Sequence, residues 1–247
     1  MTSENHVLVF GAGSGIALAT ARILVKKGWR ATLVNRSKID GHELEKFQAD
    51  KIREIVGVDF SKSSCACDEI KSIISGDVFT HIIVAQGFML ESHYLNNHDI
   101  IKAYNCNLVS VALILNEIYS ISEKSRSVEQ IVVLGSVAGD RGKEKNPVYD
   151  SSKAGLETLC QGFRQRFNHL NINLILIKPG NVRTKMTAEK SKNWLWVDPF
   201  VVAVDIVSAM NNKRDVVYTP WFWRYVMLII RLMPEKIFVG LGLGKVN

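Results

Sequence analysis

Tyr149 and Lys153 stand four residues apart in the run NPVYDSSKAG, residues 146–155. On a helix that spacing puts both side chains on one face, so the ammonium can lie near the phenol oxygen. A free phenol has a pKa of about 10, too high for proton exchange near neutral pH. A fixed cation favours the phenolate and lowers that pKa, which tunes the group to give and take a proton. The spacing alone is common on helix surfaces, and its weight comes from what surrounds it.

The chain opens with an apolar run, His6 to Phe10, that reads as a strand. The glycine-rich stretch GAGSGIA, residues 11–17, follows, and then a helical periodicity from Ile16 to Val25. Strand, glycine turn and helix form the opening of a dinucleotide-binding unit. Gly11 permits the tight turn, and Gly13 and Gly15 let backbone N–H groups approach a pyrophosphate at the helix N-terminus. Ser14 and Ile16 complete the set of cofactor contacts expected on this loop. The competing reading is an ordinary strand–helix turn.

Further motifs arrive in order: HIIVAQG (81–87), YNCNL (104–108), IVVLGSVAG (131–139) ending a strand at Ser136, the Tyr149–Lys153 pair, and LILIKPGNVRT (174–184). Together they resemble the short-chain dehydrogenases/reductases, and the resemblance covers almost the whole chain. It implies a catalytic set of Asn107, Ser136, Tyr149 and Lys153, with Asn105 the weaker alternative for the asparagine. In that set Tyr149 gives a proton to a carbonyl oxygen, Ser136 hydrogen-bonds the same oxygen, and Lys153 lowers the phenol pKa and holds the nicotinamide ribose. Asn107 helps place Lys153 through a water. The resemblance also implies nucleotide contacts from Asp59, Phe60, Ala85, Gly87, Tyr149 and Lys153, and from Pro179, Gly180, Val182 and Thr184 at the nicotinamide. For Asp59 a capping role before Ser61 competes. The chain departs from the family pattern at Phe10, where threonine is common, at Ala17 in place of a glycine, and at VAQG (84–87), whose strand-bracing hydrogen bonds must be made differently.

Strand-like runs near 6–10, 30–35, 52–58, 79–85, 129–135, 171–177 and 215–219 alternate with helical patterns. That order predicts a single-domain Rossmann fold over 1–247: a doubly wound parallel sheet of about seven strands, with helices on both faces and ligands beyond the C-terminal strand ends. Strand two ends in Asn35 and Arg36 with no acid to repel a 2′-phosphate, which favours NADP(H) and leaves NAD(H) as the alternative.

The last third, PGNVRTKM (179–186) and the stretch from Val216 to Phe238, is similar to the decaprenylphosphoryl-2-keto-erythro-pentose reductases. That similarity implies a keto-sugar on a polyprenyl phosphate as substrate, in cell-envelope polysaccharide synthesis. Alternatives are a soluble nucleotide-sugar, an acyl-thioester or a small carbonyl. A non-catalytic dinucleotide sensor is a further class, which the complete catalytic set argues against. Lys178, Arg183 and Lys185, with Arg141, Lys143 and Lys145 in the polar stretch 140–146, would give a cationic rim for a phosphate. Scattered surface lysines are the bland account. The stretch from Trp221 to Val239 is too interrupted by Arg224, Arg231 and Pro234 to cross a bilayer, yet suits a helix lying in a membrane interface. Closing the pocket or joining subunits are its competing roles, and residues 220–247 read as an extension of the same domain.

The chain has 247 residues, a net charge of +7 and no nucleic-acid-binding motif. Cys65, Cys67, Cys106 and Cys160 lack metal-ligand spacing and read as reduced thiols, and no metal is expected. The N-terminus lacks signal-peptide character and the thiols read as reduced, so a cytoplasmic location is expected. A homodimer or homotetramer, with peripheral membrane contact through the C-terminal segment, is the further expectation.

Overall fold

The computed structural model describes residues 4–62, 66–89, 96–188 and 194–243. Seven parallel strands form one sheet: β1 (His6–Phe10), β2 (Arg30–Asn35), β3 (Ile52–Val56), β4 (His81–Val84), β5 (Gln130–Leu134), β6 (Asn173–Pro179) and β7 (Val216–Thr219), in the order β3-β2-β1-β4-β5-β6-β7. Every residue of β1, β4 and β5 is buried. Strands covered on both faces read as unbroken apolar runs, and that is why their positions stand out in the sequence. The edge strands β3 and β7 are partly exposed.

Side chains alternate across the sheet. Val7, Val9, Leu33, Ile83, Val132 and Ile175 face α1 (Gly15–Lys26) and, later in the chain, the helix Pro199–Asn211. Leu8, Phe10, Val34, Ile82, Val133 and Leu176 face the helices of the other layer. Beyond α1 the helices are α2 (Gly41–Leu44), α3 (Ala66–Ser75), α4 (Asn97–Tyr104), α5 (Ser110–Ser122), α6 (Pro147–Asn168), α7 (Pro199–Asn211), α8 (Trp223–Leu232) and α9 (Glu235–Gly240). A π-helical turn, Asn105–Val109, joins α4 to α5.

The chain runs outward from β1 through β2 to β3, then returns to place β4 on the other side of β1. The connections therefore diverge beyond the C-terminal ends of β1 and β4, where open α/β sheets leave a crevice. Strand bounds differ from expectation by a residue or two. The largest difference is β6, which begins at Asn173 and continues through Pro179, because β7 pairs with it up to Thr219. Proline is tolerated at such a strand end. Among the cysteines, Cys106 and Cys160 are free thiols, and Cys65 lies outside the described residues.

The C-terminal segment is pinned beside the loop that follows β5. Met227 and Phe238 are buried. Arg141 donates to the Met233 carbonyl at 3.1 Å and lies 4.9 Å above the Phe238 ring. Residues 244–247 of the expected extension lie outside the described residues.

Candidate active site

At the β1–α1 turn, Gly11 adopts φ +73°, and a Cβ there would stand 2.4 Å from the Gln86 backbone nitrogen. Only glycine fits this turn. Ser14 precedes α1 without capping it through its side chain, and the first turn of α1 carries no acid. The helix N-terminus thus offers its N–H groups and positive dipole end to an anion in the cleft.

That cleft has a volume of about 480 Å³. Gly11, Gly13, Ser14, Gly15 and Ile16 line one part of it, and Asn35, Arg36, Asp59 and Phe60 another. Ala85, Gly87, Ser136, Tyr149 and Lys153 line its middle, with Pro179, Gly180, Val182 and Thr184. Every residue of the expected catalytic and nucleotide-binding set reaches the cleft wall except Asn107. Reasoning from sequence missed Ser37, Lys38 and Lys102 on the wall, of which the two lysines add cations to that of Arg36. For Ser37 and Lys38 the signal was their position directly after strand two.

Asn107 is fully buried behind the wall. Its Oδ1 accepts from the Phe88 amide at 2.7 Å, and its Nδ2 donates to the Phe88 carbonyl at 2.8 Å and to Ser152 Oγ at 3.0 Å. It therefore joins the β4 exit to α6, one residue from Lys153. The π turn supplies this placement by shifting the side-chain direction within an otherwise α-helical run. Asn105 instead donates to the Ser61 carbonyl at 3.1 Å, which excludes it from the catalytic wall. The unusual VAQG segment is braced by Gln86, whose Nε2 donates to Ser110 Oγ at 3.2 Å. Phe10 packs edge-on against Phe60 with ring centroids 5.8 Å apart, so two of the three departures from the family pattern form structural contacts.

Asp59 accepts from the Ser61 amide at 3.0 Å and from the Ser61 hydroxyl at 2.7 Å, which braces a turn and caps no described helix, while still lining the cleft. Burial would raise its carboxyl pKa, but those two hydrogen bonds and the Arg36 charge hold it below the usual range. Arg36 itself is exposed at the rim. Asn35 donates to the Ser37 carbonyl at 2.7 Å.

Lys153 is 5 % exposed, and its ammonium donates to the Leu134 carbonyl at 3.1 Å. Burial pushes its pKa down to about 8. Tyr149 keeps part of its surface open, yet its phenol is raised above the ordinary value, first by burial and then by the Asp150 charge. The Ser136 hydroxyl, hydrogen-bonded to the phenol, works the other way. The expectation that Lys153 holds the phenol down is not met in this arrangement. The ammonium lies 5.9 Å from the Tyr149 ring centre and is turned towards Leu134, so desolvation prevails.

The cationic rim also needs correction. Lys178 is buried in an ion cluster with Asp140 and Glu157 and does not reach the rim. Lys143 pairs with the buried Asp150 at 3.2 Å, and Arg141 is held by Met233 and Phe238. Stretch 140–146 is thereby tied down against α6 and the C-terminal segment, and contributes nothing to the cleft wall. Lys185 does line the cleft, and Arg183 is exposed nearby. Finally, α8 reaches the site from outside: a Cβ on Gly180 would overlap the Trp223 indole nitrogen at 1.9 Å, so the ring occupies the space of a side chain there.

Comparison with known proteins agrees with this geometry. The family model described as short chain dehydrogenase matches residues 5–194. An uncharacterized oxidoreductase of Mycobacterium tuberculosis is 34% identical over 108 residues, covering 44% of this chain and 43% of that protein, so the match spans less than half of that relative. An uncharacterized oxidoreductase of Streptomyces coelicolor is 26% identical over 242 residues, 94% of each chain. Among solved structures, a short chain dehydrogenase from Burkholderia cenocepacia in complex with NADP superposes with a TM-score of 0.81 at 14% identity, over 98% of this chain and 99% of that one.

Proposed function

The chain belongs to the short-chain dehydrogenase family, and from that premise we propose that it is an NADP(H)-dependent oxidoreductase that interconverts a ketone and a CH–OH group, with NAD(H) as the alternative nucleotide. The wall residues fit a dinucleotide. The glycine turn and the uncapped α1 terminus suit its pyrophosphate, and the exposed Arg36, with Lys38 and Lys102 near it, suits a 2′-phosphate. The bound nicotinamide supplies the hydride. The chain's own part is proton supply and orientation. Tyr149 gives its phenolic proton to the carbonyl oxygen, and the adjoining Ser136 hydroxyl holds that oxygen by a hydrogen bond. Lys153, which lines the cleft beside them, holds the nicotinamide ribose. Asn107 keeps the β4 exit and α6 together.

The substrate we propose is a keto-sugar on a polyprenyl-phosphate-like carrier, with the enzyme resting on the membrane surface through α8. One observation carries this reading. The helix that seats Trp223 on Gly180 turns the opposite face outward: Tyr225, Leu228, Ile229 and Leu232 on that face are 59, 52, 64 and 75% exposed, and Trp221, in the turn just before the helix, is 72% exposed. These positions recur at helical spacing, and the exposed Arg224, Arg231 and Lys236 flank them. Aromatic and aliphatic side chains beside cations suit an anionic bilayer interface. No helix among the described residues is long and apolar enough to cross a membrane. The small cationic rim favours a second reading, in which the substrate is a soluble carbonyl without a phosphate. A homodimer or homotetramer in the cytoplasm, joined through the exposed Phe200, Val201 and Val204 of α7, completes the proposal.

NADPH oxidation, followed with a polyprenyl-phosphate keto-sugar, a nucleotide keto-sugar and small ketones side by side, tests the substrate. Flotation with phosphatidylglycerol vesicles at low and high salt tests the surface. Preference for the lipid-linked sugar with salt-sensitive flotation is expected. Equal turnover of small ketones without vesicle binding would overturn it.

A further inference from the structure

Lys178 is the residue of β6 immediately before Pro179 and Gly180, so it sits at the root of one wall of the cleft. Its side chain is 1% exposed. The ammonium donates to Asp140 Oδ1 at 2.7 Å and to Glu157 Oε2 at 2.5 Å. Asp140 closes the short 3₁₀ turn Val137–Asp140 that follows Ser136. Glu157 lies on α6 one turn beyond Lys153 and two beyond Tyr149, on the same helix face. One ammonium thus meets the three segments that carry the hydroxyl, the phenol and the nicotinamide wall.

The same Asp140 oxygen accepts from the Tyr218 hydroxyl at 3.2 Å, and the Arg231 guanidinium of α8 stands 3.8 Å away. The Tyr218 ring faces the Lys178 ammonium at 4.9 Å. Close packing reinforces the junction: a Cβ on Gly139 would lie 2.7 Å from the Lys153 carbonyl carbon, so the turn after Ser136 rests directly on α6. Burial alone would lower the Lys178 pKa, but the two carboxylate hydrogen bonds outweigh burial and raise it, so the site stays ionic. With Arg231 at its edge the cluster is neutral in sum. Replacing such a cluster with apolar residues often leaves stability unchanged, whereas removing one partner leaves buried charge facing buried charge. What an ionic junction adds over an apolar one is a defined relative position of the parts it joins.

We propose that Lys178 is a positioning residue for the reaction, its ammonium fixing the Ser136 turn, the Tyr149–Lys153 face of α6 and the Pro179–Gly180 strand end in one geometry. Arg231 extends that geometry to α8. The inference rests on the reading of Ser136 and Tyr149 as the partners of the reacting oxygen. A displacement of about 1 Å between such groups can cost about 10²-fold in rate.

The test compares Lys178→Gln, Lys178→Arg, Glu157→Gln and, as a control on the site itself, Tyr149→Phe. NADPH oxidation with phenanthrenequinone as the probe gives kcat, and fluorescence titration gives the NADPH Kd. Lys178→Gln leaves two carboxylates in contact and can unfold the chain, so Glu157→Gln, at the partly exposed end of the cluster, carries the test if it does. Glu157→Gln is expected to lower kcat by about 10–100-fold, while changing the NADPH Kd by less than about threefold. Lys178→Arg, which keeps the cation, recovers most of the rate lost in Lys178→Gln. A role in stability alone would lower the melting temperature and leave the kcat of the folded protein intact. If folded Glu157→Gln and Lys178→Gln both turn over at the wild-type rate while Tyr149→Phe is inactive, the positioning role is wrong and the site stands. If Tyr149→Phe is itself active, the site reading fails.

Discussion

Lys153→Met should abolish turnover and yet leave the protein more stable than the wild type at neutral pH. The residue is 5% exposed, and burial moves its pKa from 10.5 to about 8. Each pKa unit corresponds to about 1.4 kcal/mol, so the shift represents about 3 kcal/mol of strain when the ammonium is held in the fold at pH 7. Neighbouring thiols do not offset it. Burial raises Cys106 above its ordinary value and Cys160 to about 12, so both are neutral when the ammonium is charged. Some of the gain is lost, because methionine leaves the Leu134 carbonyl without its 3.1 Å donor, a loss of about 1–2 kcal/mol. A net stabilisation of about 1–2 kcal/mol remains at pH 7.

The pH dependence is the sharper observable, because the lost hydrogen bond does not titrate. Lys153 has its pKa depressed in the fold, so between about pH 8 and 10.5 the unfolded chain holds a proton that the folded chain has released. Where the unfolded state binds more protons, stability rises with pH. This residue therefore makes the wild type gain about 3 kcal/mol across that window, and the methionine variant lacks that gain. Groups that do not feel the Lys153 charge titrate alike in both chains and cancel in the difference. Urea unfolding of both proteins at pH 7 and pH 10, at one protein concentration and with equal m-values, measures the gap. It should favour the variant at pH 7 and close or reverse by pH 10. A gap that does not change with pH would refute the reasoning, since Lys153 would then carry no strained charge. Selection for a strained cation here is the usual trade of stability for function.

Two further outcomes follow from the same site. Tyr149→Phe should keep NADPH affinity within about threefold while lowering chemistry-limited turnover by about 10²–10⁴-fold, the range for loss of a general acid, and retention of a tenth or more of the rate would remove the phenol from that role. Arg36→Asp should reverse the nucleotide preference, since a charge-assisted contact to the 2′-phosphate is worth about 1.5–3 kcal/mol, and equal NADPH and NADH affinities in the wild type by fluorescence titration would contradict the assignment.

How far the sequence reveals this site depends on how local each feature is. The face shared by Tyr149 and Lys153 follows from helix geometry over one turn, and the glycine turn declares itself within a few residues of β1. The central strands are legible because both of their faces are buried, which makes them continuous apolar runs. Lys178 shows where that reasoning stops. In sequence it sits among Arg183 and Lys185 and looks like part of a cationic rim. In the fold, period-two alternation along β6 sends it behind the wall, and its partner Asp140 comes from a turn 38 residues away. The choice between Asn105 and Asn107 depends on a π turn that no 3.6-residue periodicity announces. The apolar stripe of α8 is visible as a pattern, whereas the seat of Trp223 on Gly180 is a meeting of two distant segments. Long-range contacts thus decide the surroundings of the reacting groups, while local patterns decide which groups react. The sequence therefore points to Tyr149 as the acid but not to its pKa. That pKa is set by burial, by Ser136 and by Asp150 rather than by the lysine one turn away.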